Sequence, residues 1–505
     1  MQKNKEKLSK LKTFIHIIFL FVIIGVLLST SGVITKRKES DRKYADYKDN
    51  AQNIDVLFLG SSHMLNAINP AQVFGQTGIS SYNMAKHGGM IPESYWTYKL
   101  ACQYCNPKCV VIDLWSLDRD YKYLDKMDGT KDDSEIRNSV SLLHSNMDSW
   151  PLSKTKIQAV CDLLSSSDAR IEFLFPFSLY HSRWSTIGKD DFILDNSKSD
   201  SDQYVLGSEA RSEILLNHNT YEPEEKNVTL AEETVSTLYL RKLIEECQAE
   251  GTEVILTFMP MANSSPQDFQ AVNYGKEMAD EYGLDFINLL DHSNQNIVDY
   301  ESDMSDETHV NELGMYKLSQ YIGQILSERD YLTDHRGQAG YEFFDQTYSS
   351  WQSNIINRLL NTDDLYMALG HANMLNVNVA LLVRGDSAAL RDSFICNQIA
   401  KISGTDKIYQ AKDVNGPYFL LKEAIPEVGD LRIHECCGEA QESEIPTLSG
   451  NGEYIGMSNF AAFYYNGDYD NNLFDMYENY NADLQLFILG ADGEVLKDKY
   501  YSCGW

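Results

Sequence analysis

Acyl transfer by a hydroxyl group needs a nucleophile raised clear of the backbone, a base to take its proton, a group that orients the base, and donors for the oxyanion. Two short stretches of this chain carry residue types for all four roles. Ile54-Asp55-Val56-Leu57-Phe58-Leu59 is an apolar, β-prone run that stops abruptly in Gly60-Ser61-Ser62-His63. A buried strand ending in glycine and a hydroxyl residue lifts that hydroxyl above the edge of an α/β sheet. Far downstream, Asp306-Glu307-Thr308-His309 sets a carboxylate and an imidazole one helical turn apart, just ahead of a helix. We read Ser62 as nucleophile, His309 as base and Asp306 as the acceptor that fixes the imidazole tautomer. The backbone N–H groups of Ser62 and of Gly88 or Gly89 are the expected oxyanion donors, because glycine lets the backbone approach a substrate closely. The side chain of Asn83 is a further candidate donor.

These residues work together only if the elements between them bring strand ends to one rim. Ser80 to Met84 reads as a short second strand breaking at Lys86-His87-Gly88-Gly89, and Ile91 to Gln103 as a helix opened by Pro92. Cys109 to Leu114 is a continuous apolar run, a buried parallel strand. The pattern returns with a helix over Thr234 to Glu250, a strand over Glu253 to Phe258, a helix over Pro266 to Tyr282 and a strand over Phe286 to Leu289. Gly251 and Gly283 follow those helices as stops. A closing helix runs from Leu313 to Leu326. Alternating strands and helices predict a doubly wound sheet, whose sites lie beyond the carboxyl ends of its strands.

Other residues near that rim have competing readings. His63 and His87 are candidate substrate contacts; their bland reading is hydrogen-bonded loop histidines, and a metal shared with His309 and Asp303 is a minor alternative. Tyr180-His181-Ser182-Arg183-Trp184 mixes cation and aromatic types that suit a sugar ring or an anionic group, so Tyr180, His181, Arg183 and Trp184 form a candidate substrate wall. Asp190 to Gln203 is turn-rich and polar, a surface loop or lid. Cys102-x-x-Cys105-x-x-x-Cys109 has no second cysteine pair to complete a zinc site, so helix packing is the expected role. Nine cysteines in 505 residues are too few, and odd in number, for a secreted disulfide framework. No metal or cofactor is expected.

A net charge of −31 argues against nucleic-acid binding, which needs clustered Lys and Arg. Such clusters occur only around residues 3 to 12 and 36 to 43, flanking an uncharged apolar run from Thr13 to Ile34. As a helix that run rises about 33 Å, enough to cross a bilayer core. The expected organisation is a cytoplasmic tail over 1–12, a transmembrane anchor over 13–34, a stalk over 35–51, the sheet domain over 52–335 and a smaller β-rich α+β domain over 336–505. The simplest topology is a single-pass protein of the cell membrane with its body outside the cytoplasm; the flanking charges are nearly balanced, so the positive-inside rule barely discriminates. A cleaved signal peptide is the alternative.

With Gly60-Ser61-Ser62 after a strand, glycines after the second strand, and Asp306-x-x-His309 before the last helix, residues 52 to 330 resemble the SGNH (GDSL-type) hydrolase superfamily. Within it, the anchor and the Gly-Ser-Ser opening look most like the membrane-anchored proteins that move acyl groups onto envelope polymers, the DltD-like proteins of teichoic-acid D-alanylation and the alginate acetylation proteins. The resemblance implies a flavodoxin-like three-layer α/β sandwich, an acyl-serine intermediate, an envelope glycan substrate and a membrane-bound O-acyltransferase as partner. The chain departs from the family in two places: Ser61 replaces the aspartate of Gly-Asp-Ser, and no Gly-x-Asn-Asp block follows Val110-Val111-Ile112-Asp113. The C-terminal part, with strand-like Tyr454 to Tyr465 and Leu484 to Val495, looks like the β-rich domain of interleukin-like EMT inducers, which implies a glycan-binding module. Two functions follow as expectations: a serine esterase or O-acyltransferase on envelope polysaccharide, or a catalytically inert scaffold that keeps the fold.

Overall fold

The computed structural model describes residues 2–35, 43–44, 47–126, 142–176, 188, 204–216, 219–230, 232–293, 296–424, 431–437, 443–446, 454–457, 463–465, 482–490 and 495–503. Helix α1, Gln2–Thr35, contains in Lys10–Leu27 a stretch long and apolar enough to cross a membrane, none of it buried against protein. Compactness divides the chain into two units. The first holds residues 1–210, 221–296 and 319–345; the second holds 211–220, 297–318 and 346–505. Composition placed the boundary at residue 335; compactness instead groups the Asp306 and His309 loop with the C-terminal third.

The first unit is built on a parallel sheet of β1 (Val56–Leu59), β2 (Ser81–Asn83), β3 (Cys109–Asp113), β6 (Glu253–Phe258) and β7 (Asp285–Asn288), in the order β2-β1-β3-β6-β7. A small hairpin, β4 (Tyr204–Val205) with β5 (Ser208–Glu209), interrupts the count. Without it the order is 2-1-3-4-5, the flavodoxin-like winding. Every residue of β1 and β3 is buried, as expected of strands covered on both faces.

Local chemistry sets the element ends. Helix α2, Ser62–Ala67, starts directly off β1, and α3, Pro70–Thr77, is capped by Asn69 with Pro70 in its first turn. Helix α4, Ile91–Ala101, leads to β3. Helices α5 (Lys154–Leu163) and α6 (Ser167–Leu174) belong to an insertion after β3, and both are capped by serines. Helix α7, Val235–Glu250, is closed by Gly251 in the left-handed conformation. Helix α8, Pro266–Tyr282, opens on a Ser265–Asp268 capping box and is closed in the same way by Gly283.

The expected stalk is not free along its whole length. From Lys43 onward the described residues are docked on the first unit: Tyr47 and Ala51 are fully buried, and the Tyr47 hydroxyl donates to the Ala101 carbonyl at 2.8 Å. An aromatic with a polar handle fits such a joint. The polar composition that suggested a spacer hid two tyrosines spaced to face one surface.

Helix α9, Glu312–Ser327, follows the Asp306–His309 loop. The second unit then continues with α10 (Glu342–Asn361, from Gln346) and α11 (Leu365–Leu375). Its sheet is antiparallel, ordered β10-β9-β8-β14-β15, from β8 (Asn378–Val383), β9 (Tyr418–Ala424), β10 (Leu431–Cys437), β14 (Leu484–Leu489) and β15 (Val495–Tyr501). Three further strands, β11 (Ser443–Pro446), β12 (Tyr454–Met457) and β13 (Phe463–Tyr465), pair among themselves. Helices α11, α12 (Ser393–Ser403) and α13 (Lys407–Val414) contribute Leu369, Ile399 and Ile408 to a core with Leu381, Leu420 and Leu486 of the sheet. The β-rich expectation holds, with more helix than composition suggested.

Candidate active site

The Gly60–Ser62 turn begins with register. Leu59 of β1 lies level with Ile112 of β3, so the next residues, Gly60 and Asp113, face each other at the strand ends. A Cβ on Gly60 would sit 2.6 Å from the Asp113 Cβ, and Gly60 adopts φ +143°, a conformation that side chains resist. With no side chain there, Asp113 reaches over the turn. Its Oδ2 accepts the Ser61 hydroxyl at 2.7 Å and the Ser61 N–H at 3.4 Å. Ser61 in turn caps α2 by accepting from the His63 N–H. Ser61 is therefore buried and engaged, whereas Ser62, the first residue of α2, is partly exposed.

Asp113 itself is 1 % exposed. Burial pushes its carboxyl up to about 6, with the Ser61 hydroxyl and N–H and the amides of Trp115 and Met259 easing that cost.

The glycine turn packs hard against the same ending. The Lys86 N–H donates to the Gly60 carbonyl at 3.1 Å, and a Cβ on Gly89 would meet that carbonyl at 2.4 Å. The Gly89 N–H is committed to the Lys86 carbonyl at 3.0 Å, so Gly89 closes the turn and is not the oxyanion donor expected of it. Gly88, at φ +60°, carries no backbone hydrogen bond among the described residues and keeps that candidacy. Asn83 is also corrected. It is fully buried, and its amide nitrogen donates to the Met64 and Ile68 carbonyls at 3.0 Å each, so it ties down α2 instead of facing a substrate.

Beneath the 85–89 turn lies a charged layer that the sequence did not reveal. Lys86 Nζ donates to the Asn146 carbonyl at 2.8 Å and stands 3.7 Å from Glu93; burial pushes it down to about 8, against the pull of Glu93. Burial, then Lys86, also holds Lys43 well below the usual lysine range, and Lys43 Nζ donates to the Ala85 carbonyl. His87 pairs with Glu209 at 2.7 Å and keeps partial exposure, consistent with a rim position. His63 is buried, with its ring 5.1 Å from that of Trp115. Tyr180, His181, Arg183 and Trp184 lie outside the described residues, as does the whole of the 190–203 loop.

Asp306 and His309 belong to the second unit. Nδ1 of His309 lies 2.9 Å from each oxygen of Asp306. A nitrogen facing a carboxylate carries the proton, which leaves Nε2 as the basic position. Asp306 Oδ1 also accepts from the N–H groups of Thr308 and His309, and Oδ2 from Arg211 at 2.6 Å. Burial alone would raise the Asp306 carboxyl; the His309 and Thr308 contacts outweigh it and hold the group well below the usual carboxylate range.

The loop is braced on both sides. The Ser305 N–H donates to the His309 carbonyl at 2.9 Å, and the Asn311 side chain holds the Ser302 carbonyl while accepting from the Leu313 and Gly314 N–H groups. Glu312, first residue of α9, donates its N–H to the Arg211 carbonyl at 2.8 Å. Its buried carboxylate meets His371 of α11 at 2.5 Å and Arg358 of α10 at 2.8 Å. Burial alone would raise Glu312; His371 and Arg358 outweigh it and keep the group below its ordinary value. Asp303 pairs with Lys317, and no cluster of three or more His, Cys, Asp or Glu residues among the described ones is placed to hold a metal. Cys105 and Cys109 are buried, with thiols pushed up to about 11 and about 12.

No protein-family model matches this chain, and no curated protein matches it. Among solved structures, it overlaps a Bacteroides fragilis NCTC 9343 protein provisionally named an acylhydrolase, at 12 % identity and TM-score 0.27, over 58 % of this chain and 98 % of that one. A GDSL-like lipase from Bacteroides thetaiotaomicron VPI-5482 overlaps it at 10 % identity and TM-score 0.27, over 58 % and 99 %. Likenesses this distant say nothing of this chain's chemistry.

Proposed function

We propose that this chain is a membrane-anchored serine esterase or O-acyltransferase acting on cell-envelope polysaccharide outside the cytoplasm, through an acyl-Ser62 intermediate. The observation that carries this reading is the Asp306–His309 pair, with both carboxylate oxygens 2.9 Å from Nδ1. A pair so arranged makes Nε2 a base. In the proposed reaction Nε2 takes the Ser62 proton as Oγ attacks the ester carbonyl, and the oxyanion is met by the Ser62 and Gly88 N–H groups. The imidazolium returns the proton to the leaving alkoxide. A second hydroxyl, of water or of a sugar, then loses its proton to Nε2 and attacks the acyl-serine; as the acyl–Oγ bond breaks, the imidazolium returns that proton to Ser62. Ser62 is favoured over Ser61 because the Ser61 hydroxyl is buried and already donated to Asp113. A polysaccharide substrate, a membrane-bound O-acyltransferase partner and a glycan-binding role for the C-terminal strands complete the proposal.

The commitment of Asn83 and Gly89 to internal bonds favours a second reading, a scaffold that keeps the fold and does no chemistry. A fluorophosphonate probe separates the two. The esterase reading expects the full chain in detergent to be labelled, and expects labelling to vanish in Ser62→Ala and His309→Ala. Well-folded protein that takes no label is the scaffold.

A further inference from the structure

The insertion after β3 has an inside and an outside with different chemistry. Inside, Leu143, Met147, Trp150, Val160, Leu163 and Phe173 form one buried cluster. Outside, Leu142, Leu152, Ile157, Ile171 and Phe175 are exposed. Exposed apolar side chains scattered singly are ordinary. These are not scattered: among the described residues outside α1, five of the fourteen exposed large apolar side chains fall within 142–176. Ile171 and Phe175, four residues apart across the end of α6, share one side of it.

Two connections link the insertion to the apolar helix. Tyr44 packs against the insertion's buried cluster, and the neighbouring Lys43 is fixed to the rim, its carbonyl accepting from the Tyr82 hydroxyl at 2.5 Å and its Nζ donating to Ala85. Helix α1 ends at Thr35. The eight peptide steps from Thr35 to Lys43 reach at most about 29 Å even when fully extended. Covalent reach alone therefore keeps the insertion close to whatever holds α1.

Resting on the reading of α1 as a membrane anchor, we propose that the outer surface of residues 142–176 lies on the bilayer that holds α1, with Ile157, Ile171 and Phe175 in the lipid interface. Beside an anchor, apolar area buried at the headgroup boundary strengthens membrane contact in proportion to that area. Leu142 packs 3.4 Å from the position a Cβ on Gly88 would take, so this contact brings the Gly88 turn to the membrane surface. The substrate reaching that turn is then one carried by, or lying against, lipid.

The test uses the full chain reconstituted in nanodiscs of phosphatidylcholine and phosphatidylglycerol. An environment-sensitive fluorescent amino acid replaces Ile157, Ile171 or, as a control, the equally exposed Leu238 of α7. With brominated phosphatidylcholine, labels at 157 and 171 are quenched several-fold more than the label at 238. The surface double variant Ile171→Asp with Phe175→Asp removes the quenching at 157. Equal quenching at all three positions overturns the proposal. So does shielding that tracks the number of copies per disc and ignores bromination, which would make the surface a contact between copies. Carbonate extraction of membranes separates the two readings: protein released by carbonate defeats the anchor and with it this contact, whereas retained protein with unquenched labels defeats the contact alone.

Discussion

Asp113 and Asp306 are the same side chain put to opposite electrostatic use. Asp113, at a strand end of the first unit, is almost completely buried, touches a hydroxyl and amides but no cation, and is pushed up to about 6. Asp306, on a loop of the second unit, has a side chain 44 % exposed, an imidazole and a guanidinium as partners, and is held below the usual range. The difference teaches that partners outrank burial. Glu312 makes the point again: it is as hidden as Asp113, yet two cationic neighbours keep it low. The first carboxylate shapes a turn, and the second orients an imidazole.

The largest effect that tests this contrast is on catalysis. Asp306→Asn removes the acceptor that fixes the His309 tautomer and is expected to lower kcat about 10⁴-fold with little change in KM. Steady-state kinetics on a chromogenic ester measure it, and a loss of less than tenfold would remove Asp306 from the base side. Next comes Glu312→Ala, which strands Arg358 and His371 without their shared carboxylate; loss of one partner from a buried pair costs about 3–5 kcal/mol. A denaturant titration that shows less than 1 kcal/mol would mean that those two cations find water instead.

Asp113→Asn breaks the comparison from the other side. The folded pKa of Asp113 lies above the unfolded value, so between pH 4 and pH 6, roughly, the folded state holds the extra proton and stability falls as pH rises through that window. Above it the charged carboxyl costs on the order of 3 kcal/mol. The asparagine variant is expected to lose this slope, and at pH 8 to match or exceed the parent, less about 1 kcal/mol for a weaker bond to Ser61. Melting temperatures across pH 4 to 8 decide it; parallel curves for parent and variant would show that Asp113 is not perturbed. The smallest effect has the reverse sign. Asp306, with its lowered folded pKa, contributes stability that is present above the ordinary aspartate range and lost only as pH falls below it. Exposure to solvent keeps that contribution small. Acid melts of Asp306→Asn against the parent, both below pH 4, should converge.

Much of the first sheet was legible. The runs at 253–258 and 285–288, with Gly251 and Gly283 closing the helices before them, carry period and punctuation in the residues themselves. The pairing of Asp306 with His309 was legible for the same reason, since three residues on one turn fix it. What escaped was long-range. Asp113 reads as the tail of an apolar strand, and only the register with β1 turns its carboxylate onto Ser61. The β4–β5 hairpin turns through Leu206 at φ 47° and Gly207 at φ 82°; a leucine in that region gives no warning, because sterics oppose it and tertiary packing enforces it. The hairpin in turn delivers Glu209 to His87 across a long stretch of chain. Asn83 looked like a rim donor because its two bonds to α2 have no local signature. The helices at 365–375 and 393–403 were missed because β-prone neighbours dominated the composition of the second unit.

Strand β8 sits at the centre of the second sheet, yet the partner on one of its sides, β14, is synthesised about a hundred residues later. Until residues 484–489 emerge, Val379 to Val383 present an open edge, the form in which strands recruit the wrong partner. The last strand is no less necessary: Lys497 of β15 donates to the Leu359 and Thr362 carbonyls, closing the end of α10. Because α10 also supplies Arg358 to Glu312, the brace behind His309 depends on β15 as well. Removing β14 and β15 is therefore expected to loosen the Arg358–Glu312 contact and, through it, the loop that pairs Asp306 with His309.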